Sequence, residues 1–173
     1  MAEAAFTAGR TAANASLVVP FPGRPSPETG GGAAMSAKVF PGLPDSVAAA
    51  RAFVVGYLRD SAEDVPEEAV ERAELIVSEL ATNAVHHTRS GDPGGSYEVR
   101  VGVERRALRA EVRTAQPRAH TVPHVVFTAD NPLRESGRGM FLVNLLATRW
   151  GTLAAPVQGV YFVLRWPDAR LRP

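Results

Sequence analysis

Within this 173-residue chain, three stretches combine residue types and spacings that can carry chemistry. The first is Glu79-Leu80-Ala81-Thr82-Asn83-Ala84. Residues four apart on a helix share a face, so Glu79 and Asn83 stand together while Val70, Val77, Ala81 and Ala84 turn away to pack. A carboxylate one turn from an amide oxygen can act as a general base beside a Mg²⁺ ligand. The same spacing also suits the solvated face of an amphipathic helix. The second stretch is Gly137-Arg138-Gly139-Met140. Read as a helix start, it offers unpaired N–H groups and the positive end of a helix dipole to an anion. Its glycines let a phosphate approach the backbone, and Arg138 can add a bidentate contact. A plain loop-to-helix turn would need small residues there as well. The third stretch runs from about residue 114 to 136, with Pro117, Pro123 and Pro132 and no sustained period. Segments of that length in small domains serve as active-site lids or are surface insertions.

These residues need elements to hold them. Pro44-Asp45 reads as a helix start with Asp45 as the N-cap, and Val47, Ala50, Phe53, Val54, Tyr57 and Leu58 then recur at helical spacing. A second helix starts at Asp64-Val65-Pro66-Glu67-Glu68, where the early proline and the acids suit an N-terminus. It runs to about Thr88 and carries Glu79 and Asn83. The period then changes to two. Tyr97, Val99, Val101 and Val103 alternate with Glu98, Arg100, Gly102 and Glu104, and Leu108, Ala110 and Val112 follow suit. This predicts an antiparallel pair turning near Arg105-Arg106. A third helix is expected from about residue 139 to 148, and a last hairpin from residues 150–153 and 160–164. Helices on one face of a mostly antiparallel sheet make an α+β, two-layer sandwich.

Composition narrows the function further. Lys+Arg 19 against Asp+Glu 18 leaves a net charge of +1, so no broad basic field exists to hold a nucleic-acid backbone. Lys38 is the only lysine, and arginine dominance with abundant Ala, Gly and Pro reads as the codon bias of a GC-rich genome. Cysteine is absent, which removes disulfides, thiolate metal sites and cysteine nucleophiles and suits a reducing cytoplasm. No apolar run approaches the ~20 residues of a membrane-spanning helix. Leu17-Val18-Val19 is cut off by Pro20, so no signal peptide is expected. His86 and His87 point to different faces and Pro123 disfavours a helical His120/His124 pair, so no zinc site is expected. Residues 1–35, with four prolines between Pro20 and Pro27 and then Gly30-Gly31-Gly32, read as a disordered tail. The folded domain is expected over residues 36–166, with 167–173 as a short C-terminal tail.

In this order and with these flanks, the stretches resemble a known family. Glu79-Leu80-Ala81-Thr82-Asn83-Ala84-Val85 resembles the N box of the histidine kinase/Hsp90-like (GHKL, Bergerat-fold) ATPases. Glu135-Ser136-Gly137-Arg138-Gly139-Met140-Phe141-Leu142-Val143 resembles their second glycine box. Phe40-Pro41-Gly42, Ala50-Arg51 and Arg149-Trp150-Gly151 resemble the bacterial anti-sigma-factor serine/threonine kinases, which consist of this ATPase domain alone. The resemblance implies that Glu79 is the base activating a serine hydroxyl on an anti-anti-sigma partner protein. It implies that Asn83 ligates the Mg²⁺ bridging the ATP phosphates. Gly137, Arg138 and Gly139, with Met140 beside them, would cradle those phosphates behind an ATP lid. Such transfer rests on positioning and charge neutralisation. The expected partners are then an anti-anti-sigma protein or a sigma factor, with neither nucleic acid nor membrane. Dimers occur in the family, and no stretch of this chain identifies itself as an interface.

The chain departs from the family in two places. The first glycine box places an aspartate at the end of the second hairpin strand, where it accepts a hydrogen bond from the adenine amino group. Here Val112-Arg113-Thr114-Ala115-Gln116 puts Thr114 in that place. A threonine common near the last strand gives way to Gly159 in Gln158-Gly159-Val160. A buried hydrogen bond to a charged acceptor contributes roughly 1.5–3 kcal/mol, so the first departure alone weakens base binding by about ten- to a hundredfold. The alternative function is therefore a non-catalytic module of the same fold that sequesters a sigma factor or an antagonist.

Overall fold

The computed structural model describes residues 35–61, 64–118 and 138–167. The expected N-terminal tail, the expected lid beyond Arg118 and the C-terminal tail from residue 168 lie outside these residues. The elements follow in the order β1 (Ser36–Pro41), α1 (Ser46–Ser61), α2 (Glu67–His87), β2 (Ser96–Glu104), β3 (Ala107–Thr114), α3 (Arg138–Leu146), β4 (Arg149–Thr152) and β5 (Gln158–Arg165). One 3₁₀ turn at Arg89–Gly91 joins α2 to the first hairpin. The strands form a single antiparallel sheet in the order β1-β2-β3-β5-β4.

The period-two stretches fold as their alternation requires. Tyr97, Val99 and Val101 of β2, Leu108, Ala110 and Val112 of β3, and Val160, Phe162 and Leu164 of β5 lie on one face and are buried there. They form one core with Ala50, Val54 and Leu58 of α1, the apolar stripe of α2, and Met140 and Val143 of α3. All three helices therefore cover the same face of the sheet, and the architecture is the expected α+β sandwich. Helix α2 is the centre of that layer. It buries Ala69, Val70, Ala73, Ile76, Val77, Leu80, Ala81, Ala84 and Val85. Truncating a wholly buried residue such as Ile76 to alanine costs about 2–5 kcal/mol.

Local chemistry sets the helix ends. Asp45 immediately precedes α1, whose first residue Ser46 bonds through its hydroxyl to the Leu43 carbonyl and to the Tyr97 hydroxyl. Pro66 takes the N-cap position of α2 rather than its first turn and offers no side-chain cap, leaving Glu67 and Glu68 to favour the dipole. At the other end Thr88 donates to the Ala84 carbonyl and accepts from the Ser90 amide, which turns the chain sharply out of the helix.

Strand β1 is not foreshadowed by alternation. Of its six residues only Phe40 is buried, stacked on Tyr97 and tilted against Phe53, so its pattern was too short to register as period two. The irregular stretch after β3 begins differently from the expectation too. It is tied to the end of α2 by Arg89 N to Gln116 O, by Arg118 N to His87 O, and by a bridge between Thr88 and Pro117.

The other face of the sheet carries an ionic row. Glu111 of β3, only 6% exposed, accepts from Arg109 at 2.8 Å and from Arg113 at 3.0 and 2.8 Å. Burial pushes its carboxyl up, but the hydrogen bonds and charges of the two arginines outweigh this and hold it below the usual carboxylate range. Glu98 on the neighbouring strand holds Arg100 and approaches Arg113.

Candidate functional site

The exposed side of α2 supplies the first half of the site. Glu79 and Asn83 are half-buried there, one turn apart, where the apolar stripe of the helix does not reach. Helix α3 supplies the second half. Met140 and Val143 bury themselves in the core and seat the first turn of α3 against α2.

The two halves meet closely. A Cβ at Gly139 would stand 2.3 Å from Oε2 of Glu79 and 3.7 Å from Nδ2 of Asn83. Only a glycine lets the backbone of α3 come this near to the carboxylate without moving it. Asn83 Nδ2 lies 3.8 Å from the Met140 sulfur and donates to it. Its amide oxygen remains as an acceptor. The Glu79 carboxylate likewise has no hydrogen-bond or ion-pair partner among the described residues. The first turn of α3 begins at this same place, and a helix N-terminus is where backbone dipoles favour an anion.

Of the residues singled out in the sequence, the fold thus brings together Glu79, Asn83, Gly139 and Met140. Met140 stands apart in one respect. Its side chain is 9% exposed and belongs to the core, so any contact it makes with a phosphate is through its backbone. Arg138 opens α3, but its side chain and Gly137 lie outside what is described.

The second group lies on the sheet. Thr114 ends β3 on the same face as Val112 and so faces the helical layer, opposite Gln158 of β5. Gly159 sits beside it, opposite Arg113, with φ +142°. A Cβ at Gly159 would fall 2.2 Å from the Val112 carbonyl oxygen. The two departures are therefore neighbours across one strand pair, and position 159 has no room for any side chain.

One residue escaped the sequence reading. Ser90 is wholly buried, and its hydroxyl accepts from the Ala115 amide at 2.9 Å. That bond fixes the chain directly after Thr114 against the end of α2. The Thr88-x-Ser90 spacing is the only sequence signal for it, a Ser/Thr turn closing a helix.

The donor set can be tested for fit to a nucleotide phosphate and its cation. An amide oxygen, an unpaired carboxylate and a glycine whose missing Cβ leaves the space between them suit a metal-bridged phosphate. Among the described residues, no group of three or more His, Asp and Glu could hold a metal ion alone, so a cation at Asn83 would complete its shell with phosphate oxygens and water. Among these residues, too, no helix is long and apolar enough to cross a membrane.

A family model described as a histidine kinase-like ATPase domain matches residues 40–152. That span takes in α2, the first hairpin and α3, so it covers every element that contributes a side chain to the site. No curated protein matches the chain.

Proposed function

Because the chain belongs to the histidine kinase-like ATPase domain family, we propose that it is an ATP-binding regulator of the anti-sigma serine/threonine kinase type, acting on an anti-anti-sigma partner protein. The observation that carries this reading is the approach of Gly139 to Glu79 and Asn83, which joins a base, a metal ligand and a helix start in one place. Asn83, through its free amide oxygen, would hold the metal. The first-turn N–H groups of α3 would hold the phosphates, with Gly137 and Arg138 leading into that turn, and Thr114 would border the base. When bound, Mg-ATP supplies the phosphoryl group and the cation that neutralises its charge. Glu79 accepts the proton of the partner's serine or threonine hydroxyl, and with no partner among the described residues both its carboxylate oxygens are available for that task. The core packing of Met140 and Val143 keeps α3 from drawing back from Glu79.

Calorimetric titration of the full chain with ATP, with and without Mg²⁺, tests the binding half of this reading. Micromolar, magnesium-dependent binding is expected. The catalytic half is tested by incubating labelled Mg-ATP with an anti-anti-sigma protein. Transfer that persists unchanged in Glu79→Ala would overturn the role given to that carboxylate.

A second reading is favoured by Thr114 and by the crowded backbone at Gly159. On it the protein is a partner-sequestering module in which nucleotide binding has weakened or gone. Partner capture would then survive Asn83→Ala and need no nucleotide, whereas capture strictly dependent on Mg-ATP would remove this reading.

A further inference from the structure

Arg149-Trp150-Gly151 is explained by the fold at only two of its three positions. Trp150 packs against the core on the helical side and donates to Asn144 Oδ1 at 3.1 Å. Gly151 makes room on the other side for the Tyr161 ring, which a Cβ there would meet at 3.0 Å. Arg149 has no such task. It shares the helix-free face with Val163, its register partner on β5. Arg109 of β3 is the register partner of Val163 on the other side, and Arg165 follows two residues along β5. Val163 is 6% exposed yet outside the core formed with the helices.

The result is a small apolar floor with arginines around it. Tyr161 extends the floor, and the Arg109 guanidinium lies 4.8 Å from its ring centre. A pocket opens here, lined by Thr148, Arg149, Val163 and Arg165. Among the described residues, the acids of this face are engaged or set apart. Both oxygens of Glu111 are taken by Arg109 and Arg113, Glu98 is held by Arg100, and Glu104 stands exposed on β2, two strands from β5. Among the described residues neither Arg149 nor Arg165 has a carboxylate within ion-pair distance. Arg105 and Arg106 close the nearby hairpin with φ of 46° and 61°, where Asn-Gly is the easier choice. The Arg106 carbonyl bonds Trp166, next to Arg165. Arg149 and Arg165 are thus the two cations beside Val163 without a carboxylate partner among the described residues.

We propose that the β4–β5 end of the open sheet face is a docking surface for an acidic segment of a partner protein. Carboxylates of that segment pair with Arg149 and Arg165, on either side of the buried Val163. Among the described residues, strand β4 is the edge of the sheet, the side on which an extended chain can add. Charge complementarity selects the occupant. Of the five acids of α2, Glu67, Glu68 and Glu74 are already engaged with Arg59, Arg72 and Arg51 and Glu79 faces α3, which leaves Glu71 as the one exposed acid of that helix without an ion pair among the described residues. A nucleic-acid backbone would need a longer track of cations than two arginines supply. The surface does not depend on nucleotide binding, so it stands or falls apart from the kinase reading.

Fluorescence anisotropy of a labelled peptide alternating glutamate and threonine around one central valine, titrated with the full chain at low salt, tests the proposal. Saturable binding is expected, about tenfold weaker for the same peptide carrying glutamine, and about tenfold weaker for the chain with Arg149→Gln and Arg165→Gln together. Circular dichroism melts of the variant separate lost docking from lost folding, and Arg165→Gln alone, at an exposed position, keeps the test open if the pair does not fold. Equal binding by wild type and either folded variant overturns the proposal. So does equal binding of a single-stranded oligonucleotide, which would mean a general anion surface, or a patch buried by self-association in sedimentation at the same concentration.

Discussion

The site has two sides that the fold treats differently. On the side of α2 and α3, Glu79, Asn83 and Gly139 converge, with the Glu79 carboxylate and the Asn83 amide oxygen unpaired among the described residues. On the side of the sheet, Thr114 is a short neutral group and Gly159 sits in a backbone conformation that excludes any side chain. The first side is built from helix faces, where four-residue spacing alone brings groups together. The second depends on strand ends, where a change of one residue alters charge and backbone path at once. On the proposed reading, a site of this kind can keep its phosphate and metal side while its grip on the base is altered.

Substitutions can break or sharpen this contrast. The largest effect is expected from Glu79→Ala. Phosphoryl transfer to an anti-anti-sigma protein should fall by about 10²–10⁴-fold while ATP affinity moves by less than about threefold, measured by labelled transfer and calorimetry. Next comes Thr114→Asp, which should tighten ATP by about ten- to a hundredfold. An unchanged dissociation constant would show that position 114 does not meet the base, and the contrast between the two sides would fail. Gly159→Ala should destabilise the fold by about 1–3 kcal/mol, seen as a lowered thermal midpoint, because position 159 excludes a side chain. Gly139→Ala should act in the opposite way. The Glu79 carboxylate can swing aside, so the midpoint should hold while transfer slows roughly tenfold.

The smallest effect concerns pH. Glu111 has its ionisation favoured by folding, so its contribution is full above the ordinary glutamate range near about 4.3 and is lost as pH falls through and below it. The acid side of the stability curve should be steeper for wild type than for Glu111→Gln, followed by denaturant melts at several pH values.

Much of this could be read from the chain because the periods were clean. Glu79 and Asn83 lie on a helix of 21 residues whose apolar stripe leaves one side open, and spacing alone separates that side. The β2–β3 pair alternates without a break and turns at Arg105-Arg106. Strand β1 was missed because a single buried residue, Phe40, cannot make a period. Ser90 was missed because its hydroxyl bond reaches Ala115, twenty-five positions away. The burial of Glu111 arises only once neighbouring strands pair, since alternation reads it as an outward-facing acid. The crowding at Gly159 is equally a property of the neighbouring strand, whose Val112 carbonyl it meets.

The ties at the end of α2 have one more consequence. Arg118 is fastened to His87, and the chain re-enters at α3 with Gly139 against Glu79. Both anchors of the intervening segment therefore sit on a single helix, about 12 Å apart along its axis. Closing a loop between such near points costs entropy that rises only with the logarithm of its length, about 0.6 kcal/mol for each doubling. The number of residues between Arg118 and Arg138 can thus grow or shrink with little effect on whether the domain folds.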